Sequence, residues 1–397
     1  VGEIIVTANR RAERLRDVPA SISAFGAEDI KSNRVVDVYS LATSAPSFNI
    51  TQDSAVSQQL NIRGVVSVKL GDPSTEPSVG MFIDDVYVPR MGSASTDFFD
   101  LERIEIIRGP QGVLLGKSVI GGAISVITAK PKFETSGQTT VSFGNYNSFM
   151  ANGYLTGKLS DNIAGRFAFQ VRDHSGYNRN VLLNTPLDDL SSYQARAQLM
   201  YEGDDGKLRM LLSADFSHDK GGGTIRAAID DPAIAGIGPI AAYRAANGIG
   251  PREDFSPQRE YVRRWSLGTH LRVDWDVLDN ATLTSITAYR TSKSSWGYNQ
   301  IGTGSPPAIV DSFVYVDEDP RSFSQELRLV SNNPTSPFDW LVGAYYENDR
   351  VDRPNGHIAS TNSTIAVFSG EYLYNASSVT NTTGLFAQLG YKIADGL

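Results

Sequence analysis

The feature that most constrains this chain is a strict two-residue alternation, carried in segments of about ten residues from Ser136 onward. Trp265, Leu267, Thr269, Leu271, Val273 and Trp275 share one face of a segment, with Ser266, Gly268, His270, Arg272, Asp274 and Asp276 on the other. Leu208, Met210, Leu212, Ala214 and Phe216 likewise oppose Arg209, Leu211, Ser213, Asp215 and Ser217, and Phe323, Gln325, Leu327 and Leu329 oppose Ser324, Glu326 and Arg328. Successive side chains of a strand point to opposite faces, so each segment is a strand with one apolar and one polar side. Aromatic residues at the segment ends fit strands that cross an outer membrane. A soluble antiparallel sandwich alternates in the same way, so the period alone leaves both open.

Connection lengths separate the two. Ten strands are expected near 137–143, 148–159, 162–173, 193–202, 207–217, 263–276, 281–291, 322–331, 339–348 and 382–394. The turns after the second, fourth, sixth and eighth are short and polar, as in Ser160-Asp161 and Gly203-Asp204-Asp205-Gly206. The connections after the third, fifth, seventh and ninth are long: 174–192, 218–262, 292–321 and 349–381. Only the first, at Gly144-Asn145-Tyr146-Asn147, breaks this order. Tight turns on one side and long loops on the other describe a transmembrane barrel; a sandwich has no reason to sort its loops.

Composition removes other classes. A net charge of −8 and a pI near 5.2 argue against a nucleic-acid binder, which needs a basic field. With no Cys there is no disulfide framework, thiol nucleophile or Cys-ligated zinc. No run of about 18 apolar residues offers a membrane helix, and no basic-then-apolar leader opens the chain. A β-barrel passes all these tests. Residues 1–133 have a different texture, an α+β module. A short helix is expected from Gly26 to Leu41, before Pro46, and strands at Met81-Phe82-Ile83, Ile104-Glu105-Ile106-Ile107 and Gly121–Ile127.

On these residues the chain resembles a TonB-dependent outer-membrane receptor. Glu3-Ile4-Ile5-Val6-Thr7-Ala8 resembles the TonB box, and Asn61-Ile62-Arg63-Gly64 the Ile-Arg-Gly element of the plug. Val79 to Tyr87 is similar to the family's aspartate-glycine strand motif, with Asp85 where Gly is usual. Ile104 to Gly112, then Gly116 and Gly121-Gly122-Ala123-Ile124, resembles the signature closing the plug. Phe323 to Leu329 is similar to a recurrent strand of a subgroup seen in sphingomonad-like bacteria. These five segments stand in the family's order. The resemblance implies a mainly β fold: a TonB-box-like segment at 1–8, an α+β plug at 9–133, and an antiparallel transmembrane β-barrel at 134–397. Barrels of this family have about 22 strands. Ten are expected here, which would enclose too little room for a plug of this size. A barrel truncated after the tenth strand is therefore expected, the alternative being a ten-strand protein that departs from the family; an open sheet would leave two unpaired edges facing lipid.

The resemblance also assigns sites and partners. Residues 3–8 would add a strand to the periplasmic domain of TonB, which works with an inner-membrane energising complex. Plug arginines pair with barrel glutamates in the family, making Arg63 and Arg108 with Glu326 or Glu347 the candidate contacts; Glu326 could equally pair with its strand neighbour Arg328. Arg90 in an apical plug loop, and Trp296 and Tyr298 in the connection 292–321, are candidate ligand contacts. The ligand class implied is a ferric siderophore; relatives also carry carbohydrates, cobalamin and aromatic compounds. The membrane partner is outer-membrane lipid of a Gram-negative cell, and no nucleic acid is expected. No cofactor, metal site or catalytic residue is expected: His174, His218, His270 and His357 are scattered. Gly116-Lys117-Ser118 resembles the end of a phosphate loop, but the position of its first Gly holds Gln111. A passive porin or adhesin is the competing class, and it would have neither plug nor box.

Overall fold

The structure, a computed structural model, describes residues 5–6, 13–14, 18, 21–54, 57–66, 73–90, 97–110, 119–223, 244–299, 310–333, 336–362 and 370–391. Its N-terminal part contains β1 (Ile5–Val6), β2 (Glu13–Arg14), β3 (Ser21–Gly26), α1 (Ala27–Ser32), α2 (Val38–Ser44), β4 (Phe48–Ser54) and β5 (Ser57–Ile62). There follow β6 (Val79–Ile83), β7 (Val86–Val88), β8 (Leu101–Arg108) and β9 (Gly122–Thr128). The expected single helix is two. Asp37 accepts the Ser40 amide at 2.8 Å while the Ser40 hydroxyl accepts the Asp37 amide at 3.0 Å, which starts a second helix after the turn at Asn33 and Arg34.

β3, β8, β9, β6 and β7 form one sheet in that order, with β6 and β9 parallel. Every residue of β9 is buried, which explains why its sequence reads as an apolar run without alternation. The run begins at Gly122, whose φ is +132° and where a Cβ would lie 2.2 Å from the Ile107 carbonyl oxygen, so only glycine fits. Val38 and Leu41 of α2 meet Ile62, Ile104, Ile106 and Ile124 in one core, and these six residues are each 0% exposed.

The remainder is a ten-stranded antiparallel sheet. Its strands are β10 (Ser136–Gly144), β11 (Ser148–Ser160), β12 (Ile163–His174), β15 (Leu190–Glu202), β16 (Leu208–Gly222), β18 (Tyr261–Leu278), β19 (Ala281–Asn299), β20 (Val310–Ser331), β21 (Phe338–Asn362) and β22 (Gly370–Tyr391). Three short strands, β13 (Asn178–Asn180), β14 (Thr185–Leu187) and β17 (Glu253–Asp254), join two of the long connections, β13 pairing in parallel with β17. The sheet has two ends, and both end strands, β10 and β22, are largely exposed.

All ten expected strands are present, but five run well beyond the alternation: β16 continues to Gly222 instead of about 217 and β19 to Asn299 instead of about 291. β20 begins at Val310 instead of about 322, β21 continues to Asn362, and β22 starts at Gly370. Past the lipid, backbone pairing continues while nothing requires an apolar face. Ladder hydrogen bonding therefore outlasts the hydropathy pattern, through bulges at Asp317/Asp319 and Arg353/Gly356. Within the patterned region the faces are as expected. Phe167, Leu199, Leu212, Phe216, Trp265, Leu267, Leu327 and Val342 are exposed on the outside. Arg166, Gln170, Gln194, Gln198, Ser217, Ser266, His270, Glu326 and Glu347 are buried on the inside.

Candidate functional site at the seam between plug and wall

Two residues of opposite origin meet wherever the N-terminal module touches the wall. Arg166 of β12 grips Asp100 with two hydrogen bonds, Nε to Oδ2 at 2.8 Å and Nη2 to Oδ1, and both side chains are under a tenth exposed. Six residues further along β12, toward the long loops, Arg172 donates to Asp97 at 2.8 Å and to Asp37 at 3.4 Å. Arg196 of β15 lies 4.6 Å over the Phe99 ring and donates to the Phe99 carbonyl at 3.3 Å. Gln198 donates to Thr128 at 3.1 Å. In each case strand alternation aims the wall's side chain inward; the segment 97–100 that leads into β8 supplies most of the acceptors, with Asp37 at the start of α2 and Thr128 at the end of β9 supplying the others.

The second anchor is Asp85. β6 and β7 are joined by a two-residue turn whose residues Asp84 and Asp85 have φ of +48° and +69°. Such a turn matches the twist of a hairpin, and glycine would adopt it without strain. Asp84 is held because its carboxylate accepts the Thr128 amide at 2.9 Å and hydroxyl at 2.7 Å. Asp85 accepts from two wall arginines on alternate strands, Arg272 of β18 at 2.9 Å and Arg328 of β20 at 3.1 Å. Each arginine also holds a carboxylate on its own strand: Arg272 with Asp274 at 2.7 Å, Arg328 with Glu326 at 2.8 Å. Buried pairs of this kind give little net stability over apolar packing, but losing one partner is costly, so they specify where the module sits.

The polarity is the reverse of the expected one. The plug provides the carboxylates and the wall the guanidinium groups. Arg63 is exposed, and Arg108 donates to the Ser23 hydroxyl at 2.9 Å and the Pro46 carbonyl at 3.1 Å, within its own module. Desolvation, with the charge of Arg63 nearby, lowers the Arg108 pKa. Glu326 takes its strand neighbour Arg328, and Glu347, 1% exposed, accepts from the Tyr345 hydroxyl at 2.8 Å. The pairing of Arg63 or Arg108 with Glu326 or Glu347 is thus not formed: Arg63 stays at the surface, Arg108 is satisfied within its own module, and Glu326 and Glu347 take partners on their own strands. The alternation already put Arg272 and Arg328 on the inner face, and Asp85 stood out as a carboxylate in a glycine position. Asp97 and Asp100 carry no sequence signal; only the tertiary fold brings them to the wall.

Asp97 sits among like charges. Burial pushes its carboxyl from 3.8 up to about 7, with Arg172 opposing and Asp219 and Asp37 adding to the rise. Among the described residues no group of three or more His, Cys, Asp or Glu could hold a metal ion.

Of the other expected site residues, Ile5 and Val6 form a two-residue pair with Arg14 and Glu13, and Val6 is 0% exposed; Glu3, Ile4, Thr7 and Ala8 lie outside the described residues, as does the segment 111–118. The Arg90 guanidinium donates to the Pro73 carbonyl, tying together the two expected apical segments. Trp296 and Tyr298 are on β19 and not in a loop. Trp296 faces inward at the long-loop end, packed with Val314 and Val316 and against Val262, Tyr298, Ile358 and Tyr374.

Residues 14–123 match the family model of the TonB-dependent receptor plug domain. The iron-regulated outer membrane virulence protein of Vibrio cholerae is 31% identical over 174 residues, 40% of this chain and 26% of that protein. The vitamin B12 transporter BtuB of Vibrio vulnificus is 26% identical over 210 residues, 51% of this chain and 33% of that protein. Among solved structures, the ferric yersiniabactin uptake receptor FyuA from Yersinia pestis superposes with a TM-score of 0.71 at 17% identity, covering 95% of this chain and 62% of that one. The ferric-catecholate import receptor Fiu from E. coli K12, in its open form, gives 0.73 at 16% identity, covering 96% and 58%. The chain thus aligns with about a quarter to a third of the length of these curated relatives.

Proposed function

We propose that this chain is a TonB-dependent receptor that imports a scarce ligand, a ferric siderophore, across the outer membrane of a Gram-negative bacterium. The observation that carries this reading is a module with its own apolar core held to the inner face of a lipid-type wall mainly by charged and polar contacts, with one small apolar contact of Val86 against Ile286 and Ala288. Charge-assisted contacts fix a seat firmly, yet each can exchange its partner for water when the module is pulled. The sequence relatives include an iron-regulated protein, and two similar folds are ferric-ligand import receptors. The B12 transporter among the relatives keeps cobalamin as the second reading.

In this reading ligand enters from the long-loop side and rests on the inward apolar cluster, with Trp296 and Tyr298 among its contacts and Arg90 at the plug's tip. TonB pairs with residues 3–8 by strand addition and pulls. The Ile5–Val6 pairing to Glu13–Arg14 spans only two residues, so exchanging it for a partner strand costs little. The test is Ile5→Pro, which removes a backbone donor from the added strand. In a strain lacking the endogenous copy, this variant should abolish growth on the ferric ligand while surface expression and ligand binding stay at parental levels. Normal growth would remove the box assignment. Supplying cobalamin in place of iron as the limiting nutrient separates the two ligand readings.

A further inference from the structure

The inner face on the long-loop side is built in rows, and the rows differ in charge. Val262, Trp296, Val316, Gly356 and Tyr374 stand directly opposite one another across β18 to β22. Tyr298, Val314 and Ile358 form the next row toward the long loops. Trp296, Val314 and Val316 are buried, while Val262, Tyr298, Ile358 and Tyr374 are half-buried and give this band its inner surface. At Gly356 a Cβ would lie 2.4 Å from the Tyr374 ring, so the bare backbone is what lets that ring lie across the band. Among the described residues neither row holds a charged side chain.

The floor beneath the band is charged but closed. One inward position nearer the turns, Arg264, Ser294 and Glu318 stand opposite one another. Arg264 holds Asp219, Nε to Oδ2 at 2.9 Å, Arg353 holds Glu318 at 2.7 Å, and Arg172 holds Asp97 and Asp37. Each of these guanidinium groups already meets a carboxylate. Nearer the plug's tip Tyr87 lies in the field of Glu347, Glu76 and Asp349, with Arg90 the opposing charge. In this set seven carboxylates face four guanidinium groups, and the excess stays negative when Asp97 keeps its proton. By sequence the segments 224–243, 300–309 and 363–369 add only Arg226 against Asp230 and Asp231.

We infer that the ligand this mouth accepts carries no net negative charge, and that among ferric ligands it is a hydroxamate chelate and not a catecholate one. The inference deepens the siderophore reading above and rests on it. Hydroxamates bring one negative charge each, so a trihydroxamate cancels the charge of ferric iron. Catecholates bring two each, and a tricatecholate leaves a trianion. Over this floor a trianion meets a field of its own sign, focused by the low-dielectric wall. It can reach a guanidinium group only by taking it from a carboxylate, and a buried carboxylate that loses its partner is costly. A neutral chelate meets no such barrier, and its methylene chains bury against Tyr298, Ile358 and Tyr374.

The test titrates the full chain, folded in detergent micelles, with two iron(III) probes of known charge and follows quenching of tryptophan fluorescence, Trp296 lying in the band. One probe is the neutral complex of N-acetyl-desferrioxamine B, and the other is the trianionic complex of a mesitylene-bridged tricatecholate. The neutral probe should bind about tenfold more tightly or better, and the gap should close as salt is added. The double substitution Glu76→Gln, Asp349→Asn should narrow the gap by about threefold or more, through tighter binding of the trianion alone. Tyr298→Ala with Tyr374→Ala should weaken the neutral probe by about tenfold. Equal affinity for the two probes, or preference for the trianion, would overturn the inference and leave the ferric reading in place. Binding of neither probe would instead remove the ferric reading itself.

Discussion

The interior of the plug and the surface by which it meets the wall are built from opposite materials. Inside, Leu41, Ile62, Ile104, Ile106 and Ile124 pack with no exposure and no charge. At the seam, Asp37, Asp85, Asp97 and Asp100 face Arg172, Arg272, Arg328 and Arg166. Apolar burial is non-directional and lost only when the module opens, whereas an ion pair depends on position and can be traded for water one contact at a time. In the import cycle proposed above, a part that keeps its own fold yet leaves its seat needs this division. The seam therefore reports on position, and the core on folding.

Substitutions can push these two apart. The largest effect is expected inside: Ile106→Ala should cost about 2–5 kcal/mol of plug stability, because it empties a site with no exposure. Hydrogen exchange on the full chain should show β8 and β9 losing protection, with the wall strands unchanged. Asp85→Ala comes next. It leaves Arg272 and Arg328 without their shared acceptor, yet each keeps Asp274 or Glu326, so the loss should be nearer about 1–3 kcal/mol than the full price of a broken buried pair. Asp85→Gly removes the same carboxylate but accepts the left-handed turn freely, and should be milder by about 1 kcal/mol. Faster exchange confined to β6 and β7 is the expected readout. If alanine and glycine behaved alike, turn strain would have no share in the seat.

The smallest effect is the pH response of Asp97. Its carboxyl is raised from 3.8 to about 7 in the seated plug, so the seated state holds a proton that the released chain gives up. This contribution is complete below pH 3.8 and is lost as pH rises through 7. Asp97→Asn should flatten the fall in plug protection between those values. A pH profile matching the parent's would assign the dependence to another group.

The sequence made the wall legible because lipid on one side and a polar interior on the other act on every second residue, and that period survives in a single strand. It placed Trp265 outside and Glu326 inside, and counted ten strands correctly. It misjudged the lengths of β16, β19, β20, β21 and β22, because beyond the membrane only backbone pairing holds the strands together and pairing leaves no trace in hydropathy. Trp296 moved from loop to strand for the same reason.

Three of the plug's strands, β6, β8 and β9, were also readable, since burial restricts residue type locally, whereas β3, β4 and β5 were not. Which charge meets which was not. Asp100 and Arg166 are 66 positions apart, and Asp85 and Arg328 are 243 apart. Their pairing depends on how two separately patterned bodies are placed against each other, and a one-dimensional pattern records the face of each residue but not the partner across the gap.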